Sequence, residues 1–220
     1  MRLYLYLKNA LDLTRSEVTK LNDDNRIVVN GKKVNLTYDV LDNDIVMVDD
    51  RIIEKEPFVY YLYNKPIGVI CTNNKDYAGS IKNHLCIKER VYPIGRLDKL
   101  SRGLLILTND AKFCHDVLST HFEKEYIVKV EKVITDEFIK SMPDSIMICG
   151  KETLPCSVKK IDEYHFSIIL REGRYHQIRR MVTYHGNKVV DLKRIRIGNI
   201  KLDTLEEGSY IRINDLPNMI

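Results

Sequence analysis

Short β-rich runs, separated by turn residues and a few helical patterns, dominate the sequence after Pro57. Residues 58–63 form an aromatic, strand-favouring run that ends where Pro66 and Gly68 break the pattern. Similar runs predict strands at residues 104–107, 126–130, 157–158, 165–170, 195–197 and 210–213. Short helices are predicted after Asn109 through Leu118, after Thr135, and over residues 175–184. This mixture predicts an α+β domain around a largely antiparallel mixed sheet.

Two consecutive helices are predicted at the start of the chain. Thr14, followed by Glu17, has the form of a capping box, in which each side chain bonds the other residue's backbone amide. Val18 and Leu21 supply an apolar stripe for the helix that begins there. The preceding apolar residues also have helical spacing and predict an earlier helix: Leu3, Leu7, Ala10 and Leu11.

Strands follow these two helices. Asn30 and Gly31 both tolerate positive φ, which predicts a type I′ hairpin between residues 26–29 and 32–34. Residues 45–48 predict one more strand. The sequence therefore predicts a small α/β domain over residues 1–52, a linker over residues 53–58 that carries mixed charge and a proline, and a second domain over residues 59–220.

The composition is that of a folded protein in a reducing compartment. A hydrophobic content of 44% allows a sizeable core, and a net charge of +4 permits a nucleic-acid partner without requiring one. The cysteines form no C-x-x-C pair and no zinc-ligand spacing; they are Cys71, Cys86, Cys114, Cys149 and Cys156. No run of about 18 apolar residues occurs. We expect a soluble cytoplasmic protein without a metal, an organic cofactor or a membrane partner.

Two polar blocks stand out from the strand pattern, at residues 92–103 and 170–181. Asp98, in the first block, lies on a loop just before the strand predicted at residues 104–107, and functional side chains are often carried on such loops. A carboxylate there can serve as a nucleophile, a base or an ion-pair partner. Most loop aspartates are merely solvated, so the position alone does not decide among these roles.

Four blocks, in order, resemble the motifs of the RsuA-type pseudouridine synthases, which modify ribosomal RNA. The first is a strand ending in Lys65-Pro66, and the second is Gly95-Arg-Leu-Asp98 followed by residues 103–110. The third is residues 123–130 and the fourth is residues 172–181. The chain before them resembles the small RNA-binding domain of ribosomal small-subunit protein S-four. The resemblance thus covers nearly the whole chain, including the order of its domains.

The resemblance implies catalytic roles for three residues. Asp98 is the nucleophile, Tyr126 lies against the target base, and Arg174 pairs with the aspartate. These roles agree with physical chemistry, because burial disfavours an ionised carboxylate and an adjacent planar guanidinium restores it. A tyrosine offers a ring for stacking and a hydroxyl for proton transfer. Without the resemblance, Tyr126 would be interpreted as an ordinary aromatic residue of a β-strand.

Positive and apolar side chains near these residues are predicted to hold the RNA. Arg179 and Arg180 point about 100° apart on a helix, so they cannot both share the apolar stripe of Ile178, which is predicted to pack under the sugar or base. Residues 1–55 carry nine Lys and Arg against ten Asp and Glu, so RNA binding there requires a local patch. The predicted RNA contacts are Lys65, Arg96, Ile178, Arg179 and Arg180 in the second domain, and Lys8, Arg15 and Lys20 in the first.

The loop that carries Asp98 departs from the family pattern. Where the family commonly has Asp-Thr or Asp-Ser two residues after the nucleophile, this chain has Leu100 and Ser101. The change removes a carboxylate from the loop, so we expect its hydrogen bonding to differ while Asp98 keeps its role.

The sequence therefore favours a cofactor-free isomerase, expected to act as a monomer on ribosomal RNA, either naked or within an assembly particle. Residues 175–177, Tyr-His-Gln, resemble the small-subunit branch, which favours 16S over 23S RNA. Two rival interpretations remain. The chain could be a non-catalytic RNA-binding assembly factor, or a glycoside hydrolase, which would need two carboxylates across the bond.

Overall fold

The computed structural model describes residues 1–74, 76–214 and 216. The chain forms two compact units. The first contains Met1–Val59, Ile87–Val91 and Asn109–Ala111, and the second contains Tyr60–Cys86, Tyr92–Thr108 and Lys112–Ile220. No helix among the described residues is long and apolar enough to cross a membrane.

The first unit packs two helices against a small antiparallel sheet. Its elements are α1 (Leu3–Ala10), α2 (Arg15–Asp23), β1 (Ile27–Val29), β2 (Val46–Val48) and β3 (Arg51–Ile52), with strand order β1-β2-β3. The predicted capping box is confirmed: Thr14 Oγ1 accepts the Glu17 amide, and the Glu17 carboxylate accepts the Thr14 amide at 2.6 Å. Leu3, Leu7, Val18 and Val46 are fully buried and form the centre of the core.

The predicted hairpin in this unit is wrong in its second strand. Asn30 and Gly31 have the expected positive φ values of 51° and 74°. Lys32, however, makes only a single bridge to Val29, and β1 pairs with β2 instead. Asn30 explains this choice, because its side chain bonds Asp44 and the amide of Ile45 and so ties the turn to the segment before β2.

The second unit is built on one large mixed sheet. Its strands are β4 (Tyr60–Lys65), β5 (Tyr92–Ile94), β6 (Arg102–Thr108), β7 (Lys124–Val130), β8 (Met147–Ile148), β9 (Lys151–Glu152), β10 (Ser157–Lys160), β11 (His165–Leu170), β12 (Val189–Ile197), β13 (Ile200–Lys201) and β14 (Tyr210–Arg212). Its helices are α3 (Ile81–His84), α4 (Ala111–Ser119), α5 (Asp136–Ser141) and α6 (Gln177–Tyr184). Strands β8 and β9 form a separate two-stranded ribbon.

The strand order of the large sheet is β10-β11-β7-β12-β6-β4-β14, with β13 beside β12 and β5 beside β6. The pairing of β12 with β6 is parallel, and the other pairings between described strands are antiparallel. The α+β fold with a largely antiparallel mixed sheet is thus confirmed. Apolar side chains cover the sheet in two clusters, one around Phe166, Ile168 and Val182 and the other around Leu104 and Ile106.

Gly103 permits the parallel pairing between β6 and β12. It lies opposite Arg194 and has a φ of +107°, a conformation that residues with a side chain rarely adopt. A Cβ atom at this position would lie 2.7 Å from the Arg194 nitrogen, 3.0 Å from its carbonyl carbon and closer still to its carbonyl oxygen. Only glycine therefore lets the strand that follows Asp98 approach β12 this closely.

Candidate active site

A cleft of about 580 Å³ opens in the second unit. Its floor consists of side chains from β7 and β12, namely Lys124, Tyr126, Leu192 and Arg194. Tyr126 lies directly opposite Arg194 in the antiparallel register, which places both side chains on the same face of the sheet. The Asp98 loop, between β5 and β6, forms one side of the cleft, and the segment from Leu170 to Arg179 forms another.

Hydrogen bonds hold the Asp98 loop in a fixed shape. The Ser101 amide donates to the Asp98 carbonyl at 3.0 Å, closing a turn. The Lys99 carbonyl accepts the Gly68 amide at 2.8 Å. Arg179 donates from Nη2 to the Leu100 carbonyl at 2.7 Å and to Ser101 Oγ at 3.3 Å. These hydrogen bonds hold the loop although Leu100 stands where the family commonly has an acidic residue.

The imidazole of His176 lies within ion-pair distance of Asp98. Its Nε2 lies 3.5 Å from Asp98 Oδ1, so the two form an ion pair when the imidazole is protonated. The residue has a left-handed φ of 54° at the N-cap of α6, and its ring stacks on Tyr175 with centroids 4.0 Å apart. Strained backbone of this kind clusters at functional sites. The predicted helix start at residue 175 shifts to Gln177 for the same reason.

The predicted ion pair between Arg174 and Asp98 is not formed. Arg174 Nε donates to Glu172 Oε2 at 2.9 Å, and its Nη atoms donate to the carbonyls of Ile148, Lys151 and Glu152. The carboxylate of Glu172, only two residues away, binds the Arg174 guanidinium. Backbone carbonyls of the β8–β9 ribbon accept the remaining N–H groups of the guanidinium. Arg174 still lines the cleft, but its described bonds fix the cleft wall rather than the aspartate.

Glu172 organises the segment that carries His176. Its Oε1 accepts the Gln177 side-chain amide at 2.7 Å and the Leu154 amide at 2.9 Å, while Oε2 accepts Arg174. The Gln177 side-chain oxygen in turn accepts the Arg174 amide at 3.0 Å. Glu172, Arg174 and Gln177, which we call the wall clamp, hold the turn in which His176 adopts its left-handed conformation.

We expect Glu172→Gln to loosen this clamp. The Glu172 and Arg174 side chains are only 12% and 20% exposed, and breaking a buried pair from one side costs about 3 kcal/mol or more. In a chain of this size that loss lowers the melting temperature by about 6 °C or more, and the rate of RNA modification should fall more than about tenfold. The exposed Glu163 offers a matched control. Equal melting temperatures for Glu172→Gln and Glu163→Gln would contradict the role of the clamp.

Lys65 is not available as an RNA contact, which corrects the prediction. It is fully buried at the end of β4, and its Nζ donates to the carbonyls of Pro66 and Val69 at 2.8 Å each. Burial lowers the pKa of Lys65 to about 8, although the charges of Cys71 and Asp98 oppose the shift. Lys65 therefore supports the turn after β4 from inside the protein.

The other predicted residues of the second unit divide between the cleft and its surroundings. Tyr126 and Ile178 are buried in its floor and side, while Arg96 and Arg179 line it with greater exposure. Arg180 contacts other groups: its guanidinium lies 5.3 Å from the centroid of the Tyr175 ring and donates to Cys149 Sγ at 3.1 Å.

The predicted RNA contacts of the first unit lie on its two helices. Lys8 of α1 and Arg15 of α2 both lie over the Tyr4 ring, at 5.8 and 5.6 Å from its centroid. Lys20, also on α2, is exposed. Lys8 and Arg15 thus lie at one aromatic ring, and with Lys20 they make up the predicted positive patch of a unit whose overall charge is nearly balanced.

Comparisons with known proteins agree on one family. The model of the RNA pseudouridylate synthase family matches residues 59–184. The dual-specificity RNA pseudouridine synthase RluF of Salmonella typhi is 36% identical over 219 residues, covering 97% of this chain and 76% of RluF. Ribosomal small subunit pseudouridine synthase A of Haemophilus influenzae is 32% identical, covering 96% of this chain and 94% of the relative. A crystal structure of a pseudouridylate synthase aligns over 100% of this chain and 99% of its own, with a TM-score of 0.71 and 30% identity.

Proposed function

Because this chain belongs to the RNA pseudouridylate synthase family and is a pseudouridine synthase acting on RNA, we propose that it modifies one uridine of 16S ribosomal RNA with Asp98 as the nucleophile. We further propose that residues 1–52 bind RNA, that residues 53–58 link them to a catalytic domain over residues 59–220, and that the enzyme acts as a cytoplasmic monomer.

The carboxylates of the cleft carry the proposal for Asp98. Among the described residues that line the cleft, only Asp98 and Glu172 are acidic. Glu172 is occupied by Arg174, Gln177 and the Leu154 amide, which leaves Asp98 for chemistry. A glycoside hydrolase would need two working carboxylates across the bond, and the cleft offers one.

The reaction requires the target base to leave the RNA stack. Enzymes that act on a base flip it into a pocket, where apolar and aromatic side chains replace the lost stacking. Tyr126 and Leu192 in the floor and Ile178 at the side provide such surfaces next to Asp98. Arg96 and Arg179 at the same cleft are suited to hold phosphates, which position the RNA without reading its sequence.

The choice of 16S RNA rests on two observations. Residues 175–177 resemble the small-subunit branch, and one of them, His176, lies 3.5 Å from Asp98. The small-subunit relative of Haemophilus influenzae also matches over 94% of its own length, whereas RluF matches over 76% of its own. The higher identity to RluF, whose name specifies dual specificity, keeps 23S RNA as the second candidate.

Tritium release tests the substrate directly. Conversion to pseudouridine replaces the C5 hydrogen of uracil, so RNA carrying 5-tritiated uridine releases label at each converted site. The substrates to compare are a 16S transcript, a 23S transcript and a 16S assembly particle. We expect one equivalent of release per 16S molecule, from the transcript or from the particle. Release from 23S RNA alone would refute the choice of 16S, and release from none would refute the function.

The patch on the first unit should strengthen RNA binding through electrostatics. Changing Lys8, Arg15 and Lys20 together to glutamine removes three positive charges. If all three contact phosphates, the slope of log affinity against log salt should flatten by about 2 to 3. Filter binding at several salt concentrations measures this slope. Lys32 and Lys33, also exposed in this unit, serve as the control pair, and an equal effect of their replacement would contradict the patch.

A further inference from the structure

Arg194 is a buried arginine with an unsatisfied nitrogen. It lies on β12, only 2% of its surface is exposed, and it forms part of the cleft floor. Its Nε donates to the Leu104 carbonyl at 2.7 Å, but its Nη2 has no hydrogen-bond partner among the described residues. An unsatisfied buried polar group destabilises a fold, and its presence calls for an explanation such as a functional role.

The charge around Arg194 is also unbalanced. Burial and the charge of Arg194 lower the pKa of Lys124, which lies on the neighbouring strand in the same floor. Burial lowers the pKa of Lys65 as well, and Arg194 adds to that effect. Two nearby carboxylates are already paired, since Glu207 binds Arg102 and Glu125 binds Arg196, while Asp98 belongs to the loop at the side of the cleft rather than to its floor. The described floor therefore carries more positive than negative charge and favours an anionic group above it.

The reaction of this family develops such a charge. When the bond between uracil N1 and the sugar C1′ breaks, the electron pair of that bond leaves with N1. The resulting uracil anion spreads its charge over N1 and the two carbonyl oxygens. Because Asp98 is the proposed nucleophile, its carboxylate oxygen bonds to C1′ as N1 leaves. C5 then donates an electron pair to C1′, the bond between C1′ and the Asp98 oxygen breaks and restores the carboxylate, the C5 hydrogen leaves as a proton, and N1 gains a proton. Negative charge on the base thus appears after cleavage and disappears again in the product.

We propose that Arg194 is a catalytic residue whose guanidinium stabilises this anion by donating a hydrogen bond to a carbonyl oxygen of the detached uracil. The inference rests on the proposed placement of the base over Tyr126, which lies opposite Arg194 in the sheet register. Hydrogen-bond donors that are held in place where charge develops, in a site that excludes water, make some of the largest contributions to enzyme catalysis. A guanidinium on a central strand meets this requirement, because its Nε bond to Leu104 fixes its position.

The test compares two RNA substrates with one variant. Arg194→Met keeps a long apolar stem and removes the donor. Fluorine at C5 withdraws electrons and stabilises the uracil anion, so 5-fluorouridine RNA should depend less on Arg194. Single-turnover rates are measured as disappearance of the target nucleoside from digested RNA. We expect a loss of about 100-fold or more on uridine RNA and a clearly smaller loss on 5-fluorouridine RNA, with unchanged RNA affinity.

Arg196 provides the control, because it lies on the same strand but is paired with Glu123 and Glu125. Arg196→Met should leave the ratio of the two rates unchanged. Equal losses on both substrates for Arg194→Met would overturn the proposal. A defect that disappears at saturating RNA would also overturn it, because that result would indicate a phosphate contact.

If Arg194→Met does not fold, Arg194→Lys replaces it in the comparison. Arg194→Lys should also lose more rate on uridine RNA than on 5-fluorouridine RNA, with a smaller loss than Arg194→Met. A ratio of the two rates equal to that of the wild type would overturn the catalytic role of Arg194. A wild type that converts neither RNA would contradict the proposed function itself.

Discussion

Replacing Gly103 by alanine is expected to destabilise the second unit severely. The new methyl group would overlap the Arg194 backbone on a neighbouring strand, which has no flexible end that can move aside. Overpacking and left-handed backbone strain each cost about 1 to 3 kcal/mol, so a combined loss of about 4 kcal/mol is expected. That is a large part of the stability of an ordinary domain and should lower the melting temperature by about 10 °C. Thermal unfolding followed by circular dichroism measures it.

Gly186 provides a control that distinguishes backbone strain from steric overlap as causes of this loss. It has a similar positive φ of +77°, but a Cβ atom there would meet no heavy atom within 4 Å. Gly186→Ala therefore carries the backbone strain without the overlap and should cost only about 1 kcal/mol. Equal melting temperatures for the two variants would contradict the importance of the close approach between β6 and β12.

Asp98→Asn is expected to abolish catalysis while leaving RNA binding intact. The amide keeps the size of the side chain but removes the negative charge that a nucleophile or a base requires. Loss of a catalytic nucleophile commonly reduces the rate by about 10⁴-fold or more. The loop should keep its shape, because its hydrogen bonds to Gly68, Ser101 and Arg179 involve backbone and Ser101 atoms rather than the Asp98 carboxylate.

Single-turnover tritium release and filter binding on the same protein measure the two parts of this expectation. Asp203, an exposed aspartate of the second unit, provides the matched change to asparagine. The Asp203 variant should retain the wild-type rate. Activity of Asp98→Asn within about tenfold of wild type would exclude the nucleophile role, since a neutral amide cannot perform it.

Local signals predicted most of the regular structure. The capping box at Thr14 and the Thr135 cap of α5 were confirmed because both depend on residues within one helical turn. The strand over residues 165–170 has the predicted bounds, since its alternating pattern follows from one buried face. The turn at Asn30 formed as predicted, but the hairpin's second strand did not extend beyond one bridge between Val29 and Lys32, and the regular partner of β1 is the more distant β2.

The arrangement of the cleft was less accessible to sequence reasoning. The motifs identified Asp98, Tyr126 and Arg174 as neighbours of one site, and all three line the cleft. The partner of Arg174 could not be predicted, because Glu172 competes for the same guanidinium at short range. Lys65 was misassigned, since a lysine at a strand end gives no sign that its carbonyl acceptors lie inside the protein.

The contacts and burial of two residues of the cleft were missed for a different reason. His176 attracted attention only as part of a branch signature, and its contact with Asp98 depends on a left-handed backbone that no local pattern indicates. The sequence grouped Arg194 with Lys193 and Arg196 as positive side chains at the rim of the cleft, whereas the structure buries it in the floor. Its burial follows from strand register, because alternate residues of β12 face the cleft. Register across sheet neighbours distant in sequence is what the pattern of one strand cannot reveal.

The identity of the product tests the central claim most directly. The 16S RNA is incubated with the enzyme, digested to nucleosides and separated, and both pseudouridine and free uracil are quantified. We predict one pseudouridine for each RNA molecule, no free uracil, and neither compound with Asp98→Asn. Free uracil without pseudouridine would contradict the claim by indicating hydrolysis of the glycosidic bond, and unchanged RNA despite tight binding would identify a non-catalytic RNA-binding protein.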